Sequence, residues 1–180
     1  MDANVSEILL MQSEAQLPVF EDYLSLARKY CNSCEQTFTG GQRQFLSHLQ
    51  GLLLEIYSLG RSLPAINAPA QDRDGLFERD DIEVRHILSD EVPFSHYWQV
   101  LEPFSIDEPP SGSGDLLDDL GDIYVDFKRA ILLYDSNSDA DRHAAYWKLK
   151  FDFDHHLADH SMDAIKAIHD YMGKDGYNGW

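Results

Sequence analysis

From Asp115 to Met172 apolar residues recur every three or four positions with a single interruption, and this run constrains the fold more than any other feature. Leu116, Leu120, Ile123, Tyr124, Phe127, Ala130, Ile131 and Tyr134 form one stripe on a helix that Asp115 is placed to cap. Asp118, Asp119 and Asp122 lie in its early turns and Lys128 and Arg129 later, the order that the helix dipole favours. The interruption, Asp135-Ser-Asn-Ser-Asp139, consists of residues that hydrogen-bond locally and end helices. A second helix is expected from about Ala140 to Met172, stopped by Gly173. So short a turn forces the two into an antiparallel hairpin.

The second helix is apolar on two sides. At about 100° per residue, Trp147, Phe151, Ala158, Met162 and Ile165 share one face, and Tyr146, Leu149, Phe153, Leu157, Ala164, Ile168 and Tyr171 another. Lys148, Asp152, His156, Asp159, Asp163, Lys166 and Asp170 fill the polar strip between them. A helix with two apolar faces packs between neighbours, so this one is expected at the centre of the fold.

Upstream, Asn4 to Glu14 suits a short helix, and Pro18 suits the first turn of the next. That helix carries Phe20, Tyr23, Leu24, Ala27, Tyr30, Cys31, Cys34 and Phe38 and ends at Gly40-Gly41. Another follows through Phe45, Leu49, Leu52, Leu53, Ile56 and Tyr57, with Gly60 as its terminating residue. Residues 61–81 read as a long loop, and Ile82 to Leu88 as a short helix or a strand. Phe94, Tyr97, Trp98 and Leu101 fit a short amphipathic helix after Pro93, and residues 103–114 a second long loop. The expectation is one all-α domain over residues 1–180, a helical bundle of about five to seven helices built on the long C-terminal hairpin.

The net charge of -18 excludes several partners. Nucleic acid and anionic membrane would be repelled, and no Lys or Arg lies between Arg85 and Lys128 to form a compensating patch. No apolar run approaches the roughly twenty residues of a membrane helix, and the N-terminal residues do not fit a signal peptide, so a cytoplasmic location is expected. Cys31 and Cys34 are spaced like half of a zinc site, but no second pair completes it, and two reduced thiols on a helix face are expected.

One constellation could carry chemistry. His156 and His160, four apart on a helix, suit two ligands to one divalent ion. Asp119, Asp122 and Asp126 form a carboxylate rail on the preceding antiparallel helix, with Asp152, Asp159 and Asp163 placed to orient the imidazoles. The plainer reading is a solvated, charged helix surface, since no His-Glu-x-x-His or paired Glu-x-x-His motif is present. Asp154, His155 and His169 are expected in buried or half-buried hydrogen bonds beside Trp147. No nucleophile elbow, P-loop or dinucleotide fingerprint occurs.

The strings Asp122-Ile-Tyr-Val-Asp-Phe-Lys128, Trp147-Lys-Leu-Lys-Phe-Asp-Phe-Asp-His-His-Leu-Ala-Asp-His160 and Asp163-Ala-Ile-Lys-Ala-Ile-His169 resemble a bacterial helical family, domain of unknown function 5063. The resemblance covers roughly residues 115–170. The family's last motif reads Phe-x-Phe-Glu-x-His-Trp-Gly-x-His. Here His156 and His160 match its histidines, Asp154 stands for the glutamate and Leu157-Ala158 for Trp-Gly. The resemblance implies a helical cytoplasmic protein and brings no established activity.

The leading functional expectation is a non-catalytic interaction or adaptor domain, whose acidic surface would meet a basic protein partner. The alternative is a divalent-metal-binding protein or metal-dependent hydrolase using His156, His160, Asp119, Asp122 and Asp126.

Overall fold

Side chains that alternate or recur along the sequence become, in the computed structural model, four helical rods and one small sheet among the described residues. Those residues are 3–70, 88, 90–102, 104, 105, 107, 110–136 and 138–174, with side chains of the first helix from residue 18 onward. The chain is mostly helical, as its periodicity requires; among the described residues there are four rods and a helical turn at residues 88, 90 and 91, against five to seven helices expected, and a small sheet that was not expected.

Helix α1 spans Ala3–Glu35 without a break, so the two helices expected on either side of Pro18 are one. An interior proline forfeits one backbone hydrogen bond and crowds the preceding turn, a cost of about 3 kcal/mol. Its φ is nevertheless helical, and Pro18 falls just outside the segment that enters the core at Phe20. Beyond it Phe20, Tyr23, Leu24, Ala27, Tyr30, Cys31 and Cys34 are buried along the expected stripe. The helix stops at Glu35, short of Gly40-Gly41, because Phe38 leaves it to pack on the ring of Phe45, with centroids 5.6 Å apart. Gly41 has a φ of 81°, where only glycine sits without strain, and its carbonyl accepts from the Phe45 N–H at 3.0 Å.

Helix α2, Gln42–Gly60, buries Phe45, Leu46, Leu49, Leu52, Leu53 and Ile56. Gly60 does close it, but not by a left-handed turn, since the next residue, Arg61, is still right-handed. The glycine is needed for space: a Cβ there would stand 2.3 Å from the ring of Phe153. Residues 61–70 form the expected loop, whereas 71–81 lie outside the described residues, as does 82–88 except for the buried Leu88.

The helix expected around Tyr97 is instead strand β1, His96–Val100, and it pairs antiparallel with β2, Ser111–Asp115, inside the segment expected to be a loop. Two-residue alternation overrode the helical spacing: Tyr97 and Gln99 turn inward while His96, Trp98 and Val100 face out. Tyr97 lies opposite Gly114, where a Cβ would stand 2.3 Å from its ring. The glycines that resembled a linker therefore let an aromatic ring cross the strand.

Asp115 ends β2 and caps helix α3, Leu116–Asp135, its carboxylate accepting from the Leu117 N–H at 3.0 Å. The last rod comprises helix α4 (Asp139–Asp152), a π-helical turn (Phe153–Leu157) and helix α5 (Ala158–Gly173). Ser138 caps α4 through the Asp141 N–H. The rod runs antiparallel to α3, as the pairings Asp126–His156 and Asp119–His160 show.

The central element is α3 and not the last rod. Every residue from Asp119 to Phe127 is buried, with α1 on one side and α4 and α5 on others. The second apolar face of the rod divides. Ala158 and Ile165 pack half-buried against the core, on the side where α5 meets α2, whereas Phe151 and Met162 are exposed, with Trp147 stacked on Phe151 and Phe151 on His155. The added residue of the π turn rotates α5 relative to α4, so one helical wheel cannot hold both. Among the described residues no helix is long and apolar enough to cross a membrane.

The contact between Gly60 and Phe153 yields a first prediction. Gly60→Val should lower stability by about 2 kcal/mol, read as a reduced urea midpoint at unchanged m-value, and Phe153→Leu in the same chain should restore part of it.

Candidate metal centre

Asp119, Asp122 and Asp126 follow one another at positions i, i+3 and i+7, so all three stand on one ridge of α3. All are buried, where solvated side chains were the plainer expectation. A carboxylate taken from water is costly unless paired and hydrogen-bonded, so the ridge requires donors from whatever covers it. The last rod supplies them at the junction of the π turn and α5.

His156 Nδ1 is 2.8 Å from Asp126 Oδ2, and His160 Nδ1 is 2.7 Å from Asp119 Oδ1. Ionised carboxylates only accept, so both Nδ1 atoms carry the proton, and in the neutral rings both Nε2 atoms present a lone pair. Those two Nε2 atoms stand 3.0 Å apart, and each lies 3.7 Å from Asp122 Oδ2. Two lone pairs at that distance repel unless a proton or a cation is placed between them. The hydrogen bond that His160 donates to Asp119 raises the imidazole's pKa above its ordinary value, against the effect of burial.

The donor set fits a divalent ion. Two nitrogens bound about 2.1 Å from one ion are themselves roughly 3.0–3.4 Å apart, the separation found here. Asp122 Oδ2 and the two Nε2 atoms all lie within 4.8 Å of one another. Each imidazole has its other nitrogen held by a carboxylate, which fixes its orientation and aims Nε2 at the shared position. The set is also open to solvent, with side-chain exposures of 42% for His156 and 24% for His160.

The local fold explains the aim of His156. A π turn holds one extra residue, and such turns cluster at functional sites. Here the turn carries Phe153 and Leu157 into the core while His156 faces Asp126. Phe153 anchors it, with its ring 6.2 Å from that of Tyr23 and 5.9 Å from that of Tyr57.

Thus the structure brings together all five residues expected from sequence: Asp122, His156 and His160 at the centre, Asp119 and Asp126 behind the imidazoles. The outer residues divide. Asp152 pairs with Lys148 at 2.9 Å, Asp159 is exposed, and half-buried Asp163 adjoins the Asp119–His160 end. Asp154, His155 and His169, expected to be at least half-buried, are at the surface instead. Asp154 is paired with Lys150, and the His155 ring covers Phe151. Cys31 and Cys34 are free, buried thiols of the core, raised in pKa mainly by burial.

Tyr97 was missed. Its hydroxyl donates to Asp119 Oδ2 at 2.5 Å, the oxygen not used by His160. Burial and Asp119 push this hydroxyl far above its ordinary pKa, so it remains a donor. The only sequence signal was the in-out alternation of His96–Val100 opposite two glycines. Tyr97→Phe leaves a buried carboxylate oxygen without that donor and should cost about 1–3 kcal/mol, measured by denaturant unfolding.

Comparisons agree with this fold. The chain is similar to protein BF1032 from Bacteroides fragilis, known from a crystal structure, with a TM-score of 0.67 and 17% identity over 83% of this chain and 92% of that one. At that identity the likeness concerns the fold alone. No curated protein matches. The model of the family described as domain of unknown function (DUF5063) matches residues 16–173, and the chain belongs to that family.

Proposed function

We propose that this chain is a divalent-metal protein in which His156, His160 and Asp122 hold one ion with positions left open, and that it uses the ion for hydrolysis. The observation that supports this reading most is the pair of Nε2 atoms 3.0 Å apart, each imidazole held from behind by its own carboxylate. A charged surface has no need of that arrangement. Three protein ligands beside open positions mark catalytic sites, whereas structural sites are closed by four. When bound, the ion would lower the pKa of a coordinated water toward neutrality and supply a hydroxide. Asp119 and Asp126 fix the rings, and Tyr97 fixes Asp119.

The adaptor reading draws on a different surface. Trp98 is 82% exposed and Phe104 95%, with Val100 and Leu101 also outward, an apolar strip on a protein of charge -18. Such strips can dock partners. It is the weaker reading, because it leaves the pairing of two imidazoles with three buried carboxylates without a purpose.

Protein prepared without a metal-affinity tag should contain close to one divalent ion per chain by elemental analysis. Metal-free protein should gain about 6–10 °C in Tm at roughly a hundredfold excess of Zn²⁺, Mn²⁺ or Fe²⁺ over its Kd. His156→Ala and His160→Ala should abolish both effects, while Asp126→Asn should weaken binding about 10–100-fold. No bound metal together with no shift from any of the three ions would overturn the proposal.

A further inference from the structure

A cleft of about 710 Å³ runs between β1 and the outer half of α5, and its inner end adjoins the Asp119–His160 end of the centre. Tyr97 belongs to both: its ring lines the cleft and its hydroxyl holds Asp119. The walls are aromatic, with Phe94 stacked on Tyr171 at 4.8 Å and Trp98 presenting an indole to solvent. Asp163, three residues beyond His160, stands among these rings half-buried. It has no hydrogen-bond or ion-pair partner among the described residues.

We propose that this cleft binds a small organic cation, an aryl- or alkylammonium, with its charged nitrogen on Asp163 and its apolar body against Trp98 and Tyr97. Two observations select a cation. A half-buried carboxylate with no partner among the described residues lacks the donor that would offset its lost hydration, and an ammonium supplies it. Aromatic faces also attract cations, and do so more strongly where water is excluded. The lysines of the cleft do not oppose this. Lys166 is bonded to Asp170 on its own helix, and Lys174 lies eleven residues past Asp163, roughly 16 Å along the axis. The net charge of -18 further favours a cation over an anion of the same shape.

The inference rests on the metal reading for its consequence, since the cleft would then hold an amine-bearing substrate beside the hydrolytic centre. Binding in the cleft stands apart from it and is tested so. Benzylammonium, benzyl alcohol and benzoate share a ring and differ in charge, and each can be titrated into the full chain by ligand-observed NMR, with metal content recorded on the same samples. Benzylammonium should bind best. Asp163→Asn should weaken it about tenfold and Trp98→Ala about threefold, with the metal content of both variants unchanged. Trp98 is 82% exposed, so its removal leaves the fold intact. Absence of benzylammonium binding, equal or tighter binding of benzoate, or indifference to both substitutions would overturn the cleft assignment. Protein that binds the amine yet holds no metal would instead retain the cleft and refute the hydrolase.

Discussion

Three carboxylates buried on one ridge of a central helix are the constraint on which the rest depends. Asp119, Asp122 and Asp126 interrupt the apolar surface of α3 at a place where the core has closed around it. Their desolvation costs several kcal/mol each unless donors arrive with good geometry. Two imidazoles and a phenol arrive, from two different parts of the chain. Asp119 is held from both sides and Asp126 from one, and Asp122 is directed at the gap between the rings. A purely structural solution would be neutral and closed. This one directs Asp122 at two imidazole Nε2 atoms on side chains that remain partly open to solvent.

The scaffold around that ridge works by close packing of unlike elements. The missing side chain of Gly60 admits Phe153, Phe153 anchors the π turn, and the turn presents His156. On the opposite side, Gly114 admits Tyr97 and the hairpin presents its hydroxyl. In both cases an aromatic ring lies where a Cβ would otherwise stand, and a functional group sits within a few residues of it. Core packing and site geometry are therefore coupled, so loss of a small residue far from the histidines would be felt at them.

Much of this was legible in the sequence, for physical reasons. The stripes on α1, α2 and α3 follow from burial on one face, and the Asp115 cap and the turn before Asp139 from local hydrogen bonding. Helical spacing alone also grouped all five residues of the centre. What could not be read depended on distant packing. Pro18 looks like a helix start because local energetics penalise it within one, whereas the observed helix continues through it. Tyr97 and Trp98 have a spacing that suits helix or strand, and only the pairing with a glycine-rich partner decides between them. The π turn changes phase within a run that looks uniform, so the outer face holding Phe151 and Met162 was assigned to the core. The burial of the carboxylate rail was likewise invisible, since aspartates beside an apolar stripe usually face water.

The central claim is that Asp119 and Asp126 hold the imidazoles so that both Nε2 atoms are offered to a cation beside Asp122. Long-range ¹⁵N–¹H NMR of the histidine side chains tests it directly, because it distinguishes the two tautomers and reports which nitrogen takes a metal. The account predicts Nδ1 protonated on both His156 and His160, with Nε2 of both rings shifting together at one equivalent of Zn²⁺. Nε2–H tautomers at both rings, or Nε2 resonances unmoved by the metal, would contradict it.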